Sequence, residues 1–281
     1  MRVGRIPYLN CAPVYGAVDR GIVTLDAELV SGVPSALNRG VAEGTIDVSV
    51  VSAVEYARDA GKYLLLPDLA ISCDGEVRSV MLFSTRPAEE LSGAQVLVSR
   101  SSMTSVALLD LLFEHVWKAK PVFVPGDAEA DDLQRDRSPV AARLVIGDAA
   151  LMLRHHEHPV AAAHGRAYPF VYDLGAEWKR WTGLPFVFAV WVARREVDAR
   201  AALQLHGALM ESRNWGLAHL ARISDEASAA CRLPSAVIHE YLAGLDYGLG
   251  LEYLEGLSEF FRRLELAGKV PQGKLVFLPA A

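Results

Sequence analysis

Two apolar segments that read as buried strands, residues 79–84 and 186–192, stand about 100 residues apart and limit the topologies open to this chain. The stretch between them has strand and helix signals of its own. Residues 95–98, 121–124 and 144–146 read as strands, and 104–117 as an apolar-periodic helix. The acidic stretch 126–137 reads as a solvated loop or surface helix. Before the first apolar segment, strands expected at 3–8, 28–31 and 47–51 alternate with helices expected at 12–20, 34–42 and 53–60. After the second, the pattern turns helical, over 198–228, 234–243 and 251–266, with a closing strand at 274–278. Alternation of this kind predicts an α/β protein with parallel or mixed sheets under helices. A chain that crosses to a second lobe at the first apolar strand and returns at the second is two-lobed. It has two crossover strands and a ligand cleft between the lobes. The expected division is a discontinuous large lobe of 1–84 plus 190–281 and an inserted small lobe of 85–189. One wide sheet is the alternative.

Composition bears on the class of function. At 281 residues the chain has room for about two domains. It needs neither disulfide nor metal to bury a core. Its longest apolar runs fall far short of the ~20 residues that span a bilayer, so no membrane partner is expected. The start, Met1-Arg2-Val3-Gly4-Arg5, lacks the apolar core of an export signal. Cys11, Cys73 and Cys231 are widely spaced with no CxxC pair. A reducing cytoplasm is therefore expected. A net charge of −6 argues against broad contact with nucleic-acid phosphates, though not against a small anionic ligand at a local site.

Candidate site residues gather where strands give way to helices. Asn10 stands at such a junction, where its amide either contacts a ligand or caps the following helix. Ser101-Ser102-Met103-Thr104-Ser105 precedes a helix, and hydroxyls beside unpaired helix N–H groups form an anion site without any lysine. Gly147-Asp148 follows a strand and opens another helix. Ser52 ends a strand, and Ser79 opens the first apolar one; hydroxyls bonded only to backbone are the plainer reading of both. Arg154-His155-His156-Glu157-His158 reads as a solvated loop rather than a metal site, because adjacent histidines point in different directions. No nucleophile elbow, phosphate loop or dinucleotide fingerprint is present.

Taken in order, several segments resemble one family. They are Arg5–Asn10 with Pro13; Pro67-Asp68-Leu69-Ala70-Ile71 with Asp74-Gly75; Ser79-Val80; Thr104-Ser105; and Ile146-Gly147-Asp148-Ala149-Ala150-Leu151. Asp173-Leu174-Gly175, Trp178 and Trp181-Thr182-Gly183-Leu184-Pro185-Phe186 complete the set. The chain resembles the chorismate dehydratases of the futalosine route to menaquinone over about residues 3–265. The resemblance implies a type II periplasmic-binding-protein-like fold used as a cytoplasmic enzyme. Such an enzyme converts chorismate, a dianion, to 3-[(1-carboxyvinyl)oxy]benzoate and water, with neither cofactor nor metal. It places Asn10 and Ser79 as the polar pair near the reacting ring. Ser102, Thr104 and Ser105 become the carboxylate cradle bordered by Gly147 and Asp148, and Ser52 a further substrate contact. No His, Glu or Lys within these motifs is an obvious base, so the substrate's enolpyruvyl carboxylate is expected to take the proton. The alternatives are a small-carboxylate binding protein and the sister 1,4-dihydroxy-6-naphthoate synthase, whose Pro-Asn-Asp motif is absent here. Both monomer and homodimer remain open.

Overall fold

A computed structural model describes residues 1–128, 140–155, 168–231, 233–271 and 274–279. In chain order the strands are β1 Arg2–Arg5, β2 Glu28–Ser31, β3 Val48–Ser52, β4 Tyr63–Cys73, β5 Val80–Ser84, β6 Gln95–Ser99, β7 Val122–Gly126, β8 Ala142–Ile146, β9 Phe170–Asp173 and β10 Phe186–Arg194. The described α-helices are α1 Ala12–Tyr15, α2 Pro34–Glu43, α3 Ala53–Arg58, α4 Met103–His115, α5 Gly147–His155, α6 Leu174–Thr182, α7 Ala199–Ala218, α8 Leu220–Cys231, α9 Ser235–Ala243 and α10 Leu251–Leu266.

Two units share these elements: Met1–Cys73 with Leu184–Ala281, and Asp74–Gly183. The sheet of the first runs β2-β1-β3-β10-β4. In it β1 lies parallel to β2 and β3, while β10 is antiparallel to both its neighbours. Its core holds Trp191, Tyr15, Tyr56, Tyr63, Phe186 and Phe260, all fully buried. The sheet of the second unit runs β7-β6-β8-β5-β9. Here β6 is parallel to β7 and β8, and β5 antiparallel to β8 and β9. Met81, Phe83, Val145 and Ala150 pack together on one side of this second sheet.

The unit boundaries fall at 73/74 and 183/184, not at 84/85 and 189/190. The reason is pairing: β5 bonds β8 on one side and β9 on the other, so the segment assigned to the first lobe belongs to the second sheet. Likewise Phe186 and Val187 pair with Cys73 and Ser72 in the first. The helix expected over 198–228 divides at His219, whose φ of −127° leaves helical space. The closing strand reduces to a single bridge between Phe277 and Leu65. The helix expected to reach residue 20 stops at Tyr15, because the next backbone donors are diverted. Ala17 and Val18 N–H both donate to the Ser212 hydroxyl, at 3.2 and 3.3 Å.

That last contact matters for the site. Ser212 and Gly216 lie one turn apart on α7, and together they fix the segment that leaves β1. A Cβ on Gly216 would run into the Pro13 carbonyl. Alanine gains about 1 kcal/mol over glycine inside a helix. Overpacking against rigid backbone costs roughly 1–3 kcal/mol. The net expected for Gly216→Ala is a destabilisation of up to about 2 kcal/mol in urea unfolding, against the sign that helix propensity alone dictates.

Candidate active site

In the first unit β1 and β3 run side by side, with Val3 opposite Val48 and Gly4 opposite Ser49. Their carboxyl ends therefore open on one edge, where open α/β sheets take up ligands. The chain leaving β1 turns through a short 3-10 segment, Leu9–Cys11, that carries Asn10. Tyr15 braces this turn from inside: its hydroxyl donates to the Gly4 carbonyl at 3.3 Å and accepts from the Trp191 indole N–H at 3.4 Å. Burial pushes the Tyr15 phenol up, so it stays a neutral donor.

Asn10 is not a helix cap. Neither the 3-10 turn nor α1 has a side-chain cap bond, and the residue preceding α1 is Cys11. Asn10 Oδ1 is buried without a hydrogen-bond partner among the described residues. A buried acceptor left unmade costs roughly 1–3 kcal/mol, so such an atom calls for an explanation.

Ser52, at the end of β3, does cap α3: its Oγ accepts from Glu55 N–H at 3.2 Å. The same oxygen accepts from Asn38 Nδ2 at 3.0 Å, while Ser52 N–H donates to Asn38 Oδ1 at 3.1 Å. Both acceptor positions of the hydroxyl are thereby filled, which leaves it only its proton to offer. Asn38 went unnoticed in the sequence. Its one signal is a polar residue within the buried face of α2, beside Leu37 and Val41, where asparagine is a poor helix former.

In the second unit Val80 faces Ile146 across the β5–β8 pair, and Met81 faces Asp173 across β5–β9. Ser79, Gly147 and Asp173 thus share one edge of the sheet. Because β6 runs parallel to β8, Ser99 opens on that edge too, and Ser102 follows it. Ser102 caps α4, its Oγ accepting from Ser105 N–H at 3.2 Å and donating to Ser105 Oγ at 2.7 Å. Thr104 and Ser105 are buried beside the helix N-terminus. Gly147, at φ +65° where only glycine is unstrained, donates its N–H to the Ser79 carbonyl at 2.8 Å. Asp148 lies in the first turn of α5. The residues expected from the sequence therefore fall into two groups, Asn10 with Ser52 and Ser79 with Ser102, Thr104, Ser105, Gly147 and Asp148. Each group occupies one edge of one sheet.

The sequence reading gave Asp173 no role. Its buried carboxylate accepts from the N–H groups of Val77 at 3.0 Å, Arg78 at 2.6 Å, Gly175 at 3.0 Å and Ala176 at 3.1 Å. Burial raises its pKa above the usual carboxylate range, opposed by the bonds from Val77, Ala176 and Arg78 and by the charge of Arg154. Among the described residues no group of three or more His, Cys, Asp or Glu is placed to hold a metal ion. Of the histidine-rich run, His156, Glu157 and His158 lie outside the described residues. No described helix is long and apolar enough to cross a membrane.

Comparison with known proteins bears on this arrangement. The pattern of a family described as menaquinone biosynthesis matches residues 1–266. A chorismate dehydratase of Thermus thermophilus is 33% identical over 92% of this chain and 93% of its own. A 1,4-dihydroxy-6-naphthoate synthase of the same organism is 25% identical over 95% of each. In fold, protein AF1704 of Archaeoglobus fulgidus superposes with a TM-score of 0.71 at 20% identity, covering 96% of this chain and 98% of its own. The periplasmic aliphatic sulphonate binding protein of Escherichia coli superposes with a TM-score of 0.64 at 12% identity, covering 98% and 95%. The fold is thus that of periplasmic binding proteins, in two α/β units. A match over nearly the whole length places the chain in the menaquinone-biosynthesis family.

Proposed function

We propose that this protein is a chorismate dehydratase that forms 3-[(1-carboxyvinyl)oxy]benzoate and water. The observation that carries the reading is the extent of identity to the Thermus chorismate dehydratase, which runs through both units. The reaction breaks the C–H bond at the ring carbon bearing the enolpyruvyl ether. Its electron pair becomes a ring π bond as the neighbouring C–O bond breaks, and the departing hydroxide leaves as water. Aromatisation drives the reaction. The protein has to hold two carboxylates, steer a hydroxyl and exclude solvent.

Asn10 and Ser79 are assigned to the departing hydroxyl. Both are neutral, oriented dipoles rather than strong acids. A departing hydroxide needs a hydrogen-bond donor, and the Asn10 carboxamide N–H and the Ser79 hydroxyl are the groups assigned to supply it. The N-terminus of α4 with Ser102, Thr104 and Ser105 is assigned to a carboxylate, and helix N–H groups suit an anion. Gly147 and Asp148 border this cradle, and Ser52 offers its remaining proton to the substrate. The substrate's own enolpyruvyl carboxylate takes the ring proton, so the enzyme works by fixing a reactive conformer. A cytoplasmic setting accords with Cys11, Cys73 and Cys231, none of which forms a disulfide.

The test is direct. Purified protein is mixed with chorismate, without added cofactor, and the products are followed by absorbance and mass. A 3-substituted benzoate, 18 mass units below chorismate, is the expected product. Tight binding of chorismate without turnover would favour a carboxylate-binding protein. Inertness toward chorismate would favour the naphthoate-forming sister activity.

A further inference from the structure

Asp173 has more acceptors engaged than helix capping requires. The bonds from Gly175 and Ala176 N–H cap α6, and an ordinary N-cap stops there. The bonds from Val77 and Arg78 N–H reach another segment of the chain, the one that enters β5. That segment is strained. Ser79 N–H donates to the Val77 carbonyl at 2.8 Å across a single intervening residue, Arg78, whose φ is +62°. A three-residue turn with its central residue at positive φ is rare and costly for anything but glycine. Such conformations persist only where the surroundings over-determine them. Here two holds do so. The Gly147 N–H grips the Ser79 carbonyl, and the Asp173 carboxylate grips the two amides just before Ser79.

We propose that Asp173 is a positioning residue for Ser79. Through Val77 and Arg78 its carboxylate keeps the turn that sets the direction of the Ser79 hydroxyl. The inference rests on the part assigned to Ser79 above, and it adds a dependence that part does not contain. Arg154, with Nη1 3.6 Å from the Asp173 carboxylate and Nη2 3.2 Å from Glu76, steadies the outer side of the clamp.

A double-mutant cycle tests it. Asp173→Asn keeps Oδ1 for the cap but sets an amide N–H against the Arg78 N–H. Asp173→Ser retains a hydroxyl cap with one short oxygen, which serves if the first variant folds poorly. Either change is expected to lower kcat on the order of 10–100-fold, the scale of an ångström-sized misplacement. KM should move by less than about 3-fold, as for a contribution made in the transition state. Placed on Ser79→Ala, the same change is expected to cost less than about 3-fold more, because residues acting as a unit are not additive. Equal losses in both backgrounds would make Asp173 a structural cap and overturn the proposal. So would wild-type kcat in Asp173→Asn, or failure of both Asp173 variants to fold. Ser79→Ala with wild-type turnover overturns the Ser79 assignment itself, and no Asp173 variant is needed to see it.

Discussion

Replacing Asn10 by Asp is expected to lower kcat for chorismate by about 100–1000-fold, the cost of losing one preorganised donor at a developing oxyanion. The variant has the same shape. It puts a carboxylate, which accepts but does not donate, beside a departing hydroxide and a dianionic substrate. The fold should survive, because the Asn10 carboxamide oxygen bonds to no described residue. Asn10→Leu sharpens the test. It removes a buried acceptor that has no partner among the described residues, and its larger volume offsets part of the gain. Unfolding free energy is expected to stay level or rise by up to about 2 kcal/mol, together with the loss of turnover. A structural Asn10 would give the opposite pair of results, with lower stability and retained activity. Urea unfolding and the chorismate assay on the same preparations decide between them.

How far the sequence could be read depended on how local each feature is. The 28–31 strand and the 251–266 helix have the bounds read for them, because each is set by its own periodicity. The longest strand, β4, was missed. Pro67 and Asp68 interrupt it, and proline ordinarily marks the end of a strand. The structure tolerates them as a bulge. Asp68 sits at φ +54°, the register with β10 shifts there, and the aspartate is held by Arg213 from α7 and by Leu249 N–H. Those partners lie about 145 and 181 residues away in the chain, beyond the reach of any pattern in a short window. The site divides in the same way. Asn10, Ser52 and Ser102 announce themselves at strand-to-helix junctions. Whether each one caps a helix was settled only by the bonds it makes. Ser52 and Ser102 are caps, and Asn10 is not. Asn38 and Asp173 act through other residues and left only faint traces, a polar residue on a buried helix face and one capping aspartate among several.

Asn38→Asp is expected to raise KM for chorismate by about 10–100-fold, more than its effect on kcat. In the native protein Asn38 Nδ2 fills one acceptor position of Ser52 Oγ and Glu55 N–H the other, so the hydroxyl has only its proton left to give. Aspartate replaces that donor with an acceptor at the same point. The Ser52 hydroxyl then rotates to donate to residue 38, and the substrate carboxylate loses its bond. A hydrogen bond to a charged group is worth about 1.5–3 kcal/mol, which is about 10–100-fold in affinity. The new carboxylate also faces a dianion. Its pKa, raised by burial in this 3% exposed position, makes the defect pH-dependent. While protonated, the new side chain can still donate to Ser52, so KM is nearest normal at low pH and climbs as residue 38 ionises. Ser52→Ala removes the proton altogether and should raise KM by a similar factor with no such pH dependence. Measuring KM for both variants across pH 5–9 separates the two. A pH-independent Asn38→Asp, or a Ser52→Ala enzyme with native KM, would remove Ser52 from the substrate contacts.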